Sequence, residues 1–125
     1  MESQEKIMQN LLQELKRGSL VLAVLLSTEK PEYGYSLVGL LQESGIDVEQ
    51  NTLYPLLRRL EQQGLMESIW DTGESRPRKY YRITDYGRTV ASELSGQWAV
   101  LVESMNRLIS LDQGNDNKGE DHEIN

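Results

Sequence analysis

The chain has 125 residues, with 20 acidic and 13 basic side chains, a formal charge of −7, no cysteine and one histidine. That length supports one domain, whose folding buries roughly two-thirds of the surface the unfolded chain exposes. Without cysteine there is no disulfide framework, Cys-ligated zinc or thiol nucleophile, and a single histidine in a polar tail (His122) leaves no multi-histidine metal site and no Ser/His/Asp arrangement.

Other chemistry is set aside on similar grounds. The longest apolar run, Leu20 to Leu26, is far short of the ~20 residues that span a bilayer. No signal-peptide pattern opens the chain, so a soluble cytoplasmic protein with no membrane contact is expected. Gly34 and Gly39 are not followed by the Lys-Ser/Thr pair of a phosphate loop. Neither an enzyme nor a bound cofactor is expected.

Residues 2–16 read as a helix. Ile7, Met8, Leu11, Leu12 and Leu15 form a narrow apolar seam that needs a partner surface. Gly18 marks a break between two helices or a close contact within one. Ser19 to Ser27 is nearly all apolar and reads as a buried helix, while Lys16 and Arg17 before it read as a solvated pair. Thr28 to Gly34 has loop punctuation in Lys30-Pro31 and Gly34.

Tyr35 to Ser44 is the next expected helix, with Leu37, Leu40 and Leu41 inward and Gly39 permitting close approach of a neighbour. Gly45 ends it, and residues 46–49 turn into a second helix over about 51–63. In that helix Leu53, Leu56, Leu57 and Leu60 recur at i, i+3, i+4, i+7, the period of one buried face. Asn51 or Thr52 is placed to cap its start, and Gly64 to end it. Pro55 has no N–H to donate, so the helix is expected to begin late enough to hold it in the first turn. The opposite face carries Thr52, Tyr54, Arg58 and Arg59, side chains that hydrogen-bond bases or phosphates. Thr52 and Tyr54 suit base edges and Arg58 suits a phosphate. Arg59 lies ~100° further round and is left to pair with Glu61 or another acid.

Leu65 to Trp70 and Arg78 to Ile83 read as two strands, joined by turn-forming residues 71–77. Arg76, Arg78 and Lys79 make the tip basic, suited to backbone or minor-groove contact. One of Tyr80 and Tyr81 is expected in the core and the other near a phosphate. Helix, turn, helix and basic-tipped hairpin in this order outline a winged helix-turn-helix.

Thr84 is placed to cap a last helix over 85–111, with Asp85 in its first turn. Val90, Leu94, Trp98, Leu101, Met105 and Leu108 form its apolar stripe. Such a rod is ~40 Å long at 1.5 Å per residue, too long for one small domain to cover, so a C2 homodimer is expected. Gly96 leaves room beside Trp98, a large aromatic that is either an anchor between helices or part of a ligand cavity with Leu101, Val102 and Met105. Residues 112–125, with five acids against Lys118, read as a disordered acidic tail. Charge is therefore uneven: residues 58–88 hold seven basic against five acidic side chains, a local positive patch on an acidic chain.

Several stretches together resemble the PadR-like winged-helix transcriptional regulators. They are Tyr33-Gly34-Tyr35, the run Asn51-Thr52-Leu53-Tyr54-Pro55-Leu56-Leu57-Arg58-Arg59-Leu60-Glu61, Gly64-Leu65, the run from Arg76 to Thr84, Gly87 and Trp98. The resemblance covers roughly Leu15 to Ile109. The resemblance implies a mainly α fold with a small β-hairpin wing and a long C-terminal dimerisation helix. It divides the chain into a DNA-binding domain (1–83), a dimerisation helix (84–111) and the tail. It implies double-stranded DNA with two half-sites as partner, a DNA-contacting set of Tyr35, Asn51, Thr52, Tyr54, Pro55, Arg58, Arg76, Arg78 and Lys79, and repression of nearby genes. In some members the tryptophan matching Trp98 stacks on a small flat aromatic effector at the dimer interface. Others answer to phenolic acids or to no known small molecule. A winged-helix protein-interaction module without sequence-specific DNA binding is the alternative reading.

Overall fold

The computed structural model describes residues 3–73 and 75–124, the side chains of 112 and 114–124 excepted. The chain forms two compact units, Met1–Ser92 and Glu93–Asn125.

The first unit opens with α1 (Gln4–Leu26). Ser3 caps it, its hydroxyl accepting the Lys6 N–H at 3.1 Å. The expected break at Gly18 does not occur. A mid-helix glycine costs only ~1 kcal/mol relative to alanine, and a side chain at Gly18 would meet nothing within 4 Å, so it serves no close contact either. Burial within α1 is also narrower than expected: only Val24 and Leu25 are buried, and Leu26 is exposed.

The stretch expected to be all loop contains β1 (Glu32–Tyr33), too short to show a period. Ser36 secures the turn that follows, accepting the Tyr33 N–H at 3.1 Å and donating to Glu32 Oε2 at 2.6 Å. α2 (Gly34–Glu43) buries Gly34, Leu37 and Leu41. Leu40 is only half-buried, and Gly39, expected to admit a neighbour, faces open space. Gly45 ends the helix at φ 91°, in the left-handed region where a Cβ is costly.

α3 (Gln50–Gln62) buries all four leucines of its period: Leu53, Leu56, Leu57 and Leu60. Its start differs from expectation. The N-cap is Glu49, with no side-chain cap hydrogen bond, and Asn51 and Thr52 lie inside the helix. Pro55 therefore sits beyond the first turn, where its missing N–H leaves the Asn51 carbonyl without an i+4 donor. The four buried leucines outweigh that loss. Gly64, at φ 78°, ends α3 as expected.

β2 (Met66–Asp71) and β3 (Arg78–Ile83) form the hairpin, in register from Met66↔Ile83 to Asp71↔Arg78. β1 adds to the other edge of β3, giving an antiparallel sheet in the order β1-β3-β2. Tyr81 and Ile83 are buried with Leu65 and Met66, closing the core over α2 and α3. At the base of the hairpin the Thr84 N–H donates to the Leu65 carbonyl at 3.1 Å, and its hydroxyl donates to the Gly64 carbonyl at 2.7 Å. The same hydroxyl accepts the Gly87 N–H at 3.0 Å, capping α4 (Asp85–Ile124) as expected.

The second unit is the rest of α4. The helix continues through 112–124, the segment expected to be a disordered tail, and Asn125 lies outside the described residues. No proline interrupts that segment, and Gly114 and Gly119 are its weakest helix formers. The architecture is a winged helix-turn-helix followed by a long C-terminal helix.

Candidate nucleic-acid interface

The buried leucines of α3 decide which side chains face outward. Asn51, Thr52, Pro55, Arg58 and Arg59 are exposed. Asn51, Pro55 and Arg58 follow one another at i, i+4, i+7, and so form one continuous strip. Among the described residues neither Arg58 nor Arg59 has an ion pair. The expected Arg59–Glu61 pairing is absent, because residues two apart on a helix do not face each other.

Tyr54 stands apart from this strip. It is half-buried, with its ring and hydroxyl against Gly34. A Cβ at Gly34 would lie 2.2 Å from the ring's Cε1 and 2.5 Å from the hydroxyl. The tyrosine thus seats α3 on the first residue of α2, and Gly34 is small because that ring occupies the space a side chain would need.

Glu61, on the last turn of α3, accepts a hydrogen bond from Ser68 of β2 and holds Lys79 Nζ of β3 at 3.1 Å. One carboxylate therefore ties α3 to both strands of the hairpin. The Ser68 hydrogen bond, which outweighs the penalty from burial, and after these Lys79 hold the Glu61 carboxyl below its ordinary range. Burial pulls the Lys79 ammonium down, but Glu61 and Tyr81 outweigh it, and the net shift is upward. Lys79 also lies over the Tyr81 ring at 5.1 Å. It is half-buried and engaged within the protein, whereas the sequence placed it among the wing's free cations.

Tyr33 organises the other face of the wing. The Arg78 guanidinium sits 4.8 Å over its ring, Tyr80 meets it edge-on at 5.4 Å, and Tyr35 stacks at 6.4 Å. Tyr35 is two-thirds exposed, at the start of α2. Arg76 is exposed and, among the described residues, has no ion pair. Asp71 accepts the Gly73 N–H at 2.9 Å, so this acid shapes the turn beside the cations. The open question over the hairpin tyrosines is answered by register: Tyr81 is buried, and Tyr80 packs on Tyr33.

Sequence reasoning missed three parts of this arrangement: Tyr33 as an aromatic hub, Glu61 as a tie and Gly34 as a seat. Only the Tyr-Gly-Tyr run hinted at the first and third. No sequence period links Glu61 to Ser68 or Lys79, because that contact spans separate elements.

The proposed effector set lies in the second unit. Trp98, Leu101, Val102 and Met105 are all exposed on α4. A shallow groove along this helix is lined by Trp98, Val102, Glu103, Arg107, Leu108 and Leu111 among others, and Leu101 and Met105 lie outside it. Among the described residues no acidic or histidine cluster suits a metal ion, and no helix is long and apolar enough to cross a membrane.

Residues 21–93 match the family model described as the transcriptional regulator PadR-like family. A transcriptional regulator of Mycobacterium tuberculosis is 35% identical over 83 residues, 66% of this chain and 78% of that protein. An uncharacterized protein of Lysinibacillus sphaericus is 34% identical over 89 residues, 68% of this chain and 80% of its own length. Among solved structures, a PadR family transcriptional regulator from Eggerthella lenta is 50% identical with a TM-score of 0.78, covering 84% of this chain and 94% of that one. A PadR-like regulator from Bacillus cereus is 29% identical at a TM-score of 0.67, covering 77% and 96%.

Proposed function

The chain belongs to the PadR-like family of transcriptional regulators, and from that premise we propose that it is a homodimeric DNA-binding repressor released by a small aromatic effector at its dimer interface. The observation that carries the DNA-binding part is the set of exposed arginines without ion pairs, Arg58 and Arg59 on α3 and Arg76 on the wing. An unpaired guanidinium gains most from a phosphate, which it meets with two parallel hydrogen bonds.

In this reading the first two turns of α3 enter the major groove. Asn51 and Thr52 face base edges there, with Pro55 against the groove wall, and Arg58 reaches a phosphate. Arg76 and Arg78 meet the adjacent minor groove, where negative potential is concentrated. Tyr35 stands at the start of α2 to donate its hydroxyl to a phosphate. Lys79 and Tyr54 act at one remove, holding the wing and α3 in place. Lys79 keeps its charge near the backbone while bound to Glu61.

Two subunits address two half-sites ~34 Å apart, one turn of the duplex. Support for the dimer comes from apolar faces without cover. Ile7, Met8, Leu11, Leu12 and Leu15 on α1 are 39–76% exposed, and Trp98, Leu101, Val102, Met105, Leu108 and Ile109 on α4 are 38–59% exposed. Apolar stripes of this extent mark interaction surfaces. An effector that binds one arrangement of that interface better than another shifts the half-site spacing away from the DNA repeat. Trp98, with Val102 beside it, offers the flat surface for stacking.

Fluorescence anisotropy of a labelled duplex from upstream of the protein's own gene tests this, at several salt concentrations, against a scrambled duplex of equal length. Tight, salt-sensitive binding of the first duplex alone, with about tenfold or greater loss in Arg58→Ala plus Arg76→Ala, is expected for phosphate contacts. Equal binding of both duplexes by wild type and double variant would overturn the reading in favour of a protein-interaction module.

A further inference from the structure

Trp70 is 61% exposed near the end of β2, and the contacts described above do not use it. Directly paired residues of antiparallel strands share a sheet face. Trp70 pairs with Lys79, Ser68 with Tyr81 and Met66 with Ile83. Along this face Met66 and Ile83 are buried, Ser68 is bonded to Glu61 of α3, and Lys79 is bonded to the same carboxylate. Trp70 is the next position toward the tip. It belongs to the α3-facing side of the wing and stands where that face has run out of protein to pack on. Ile69, on the opposite face and 41% exposed, pairs instead with Tyr80, which is held by Tyr33.

A tryptophan in this place leaves a large apolar surface and an indole N–H in water, at a cost that a free surface strand need not bear. Its surroundings indicate what covers it. Arg76 stands in the tip beside it without an ion pair among the described residues, and Lys79 lies across from it on the same face. Asp71 and Arg78, paired with each other, lie on the opposite face, where Asp71 accepts the Gly73 N–H. That is an apolar plate beside a cationic wing tip, complementary to a surface of sugar rings edged by phosphates.

We propose that Trp70 is a DNA-contacting residue, its indole packing on the deoxyribose wall of the minor groove that the wing tip enters and its N–H donating to a phosphate oxygen. The proposal rests on the DNA-binding reading above and adds to it an uncharged contact. Sugars carry no base information, so this contact strengthens binding to any duplex by the same factor. It neutralises no phosphate, so it leaves the salt dependence unchanged.

Both properties separate Trp70 from the arginines and can be measured in one anisotropy series with Trp70→Ala and Trp70→Phe, each checked by thermal melting. Trp70→Ala is expected to weaken operator and scrambled duplex alike by about tenfold, the scale of one well-packed aromatic. The slope of log affinity against log salt stays that of wild type, and Trp70→Phe recovers part of the loss. Independently of any loss of affinity, saturating duplex should quench wild-type tryptophan emission, and that change should vanish in Trp70→Phe, which keeps Trp98. Unchanged affinity in Trp70→Ala, a loss confined to the operator, a reduced salt slope, or a quench that survives in Trp70→Phe would each overturn the proposal while wild-type DNA binding stands. Failure of wild type to bind any duplex would overturn the DNA-binding reading and the proposal with it.

Discussion

Replacing Gly87 with alanine sets two effects against each other. Alanine favours helix by less than about 1 kcal/mol in the first turn of α4. The new methyl would lie 2.1 Å from the Leu65 carbonyl oxygen and 2.6 Å from Ile83 Cγ1. The carbonyl belongs to backbone, and it would have to retreat by about 1 Å to reach ordinary contact. That carbonyl accepts the Thr84 N–H at 3.1 Å and closes the base of the wing, so retreat also weakens a hydrogen bond worth about 1 kcal/mol. Overpacking of this kind costs roughly 1–3 kcal/mol. The clash wins, and the expected net loss is about 2 kcal/mol, or about 10 °C in Tm for a unit of this size. Gly39→Ala is the internal control. It too lies within a helix, but nothing stands within 4 Å of its Cβ. Alanine there should stabilise by about 0.5–1 kcal/mol. Thermal and urea unfolding of the two variants and wild type, at one protein concentration because a dimer's Tm depends on it, decides the matter. A Gly87→Ala protein as stable as wild type would refute the close-approach argument. A destabilised Gly39→Ala would refute the open-space one.

Glu61 gives a pH prediction. Its folded pKa is depressed, chiefly by Ser68 and then by Lys79, so its contribution is complete above the ordinary value near 4.5 and is lost as pH falls through the lower folded value. Glu61→Gln should lower Tm at pH 7 and flatten the fall in Tm between pH 5 and pH 3; parallel pH curves for the two proteins would count against the tie. Arg76→Ala should reduce the slope of log affinity against log salt by about 0.9, one phosphate contact, as read by anisotropy, and an unchanged slope would remove Arg76 from the interface. Leu101→Glu, on an exposed apolar stretch of α4, should convert a dimer to a monomer in sedimentation velocity. A dimer persisting at micromolar concentration would place the interface elsewhere.

The helices of the DNA-reading unit are legible in the sequence because each buries one face against a common core. The spacing of the leucines at 53, 56, 57 and 60 alone marks a buried face, and they are buried. Helix ends are less legible. Capping at Asn51 or Thr52 is plausible locally, yet α3 starts at Gln50 because the packed leucine face extends the helix past a proline. Gly18 and Gly39 have the sequence context of close contacts and are open, while Gly34 and Gly87, where a Cβ has no room, stand in the sequence only as loop punctuation and parts of the family motif.

By itself, then, the sequence determined what repeats along the chain: helical and strand periods, the basic tip of the hairpin, the two apolar seams and the motif that marks the family. These are local quantities, set by neighbours within a turn or a strand pair. Tertiary structure alone decided which polar side chains are consumed internally and which remain for a partner. Glu61 takes Lys79 and leaves Arg58, Arg59 and Arg76 without ion pairs among the described residues. Tyr54 is spent on Gly34, while Trp70 is left uncovered. A hydrogen bond acts only within about 3 Å, and residues 18 positions apart, as Glu61 and Lys79 are, reach that distance only when the fold brings them together.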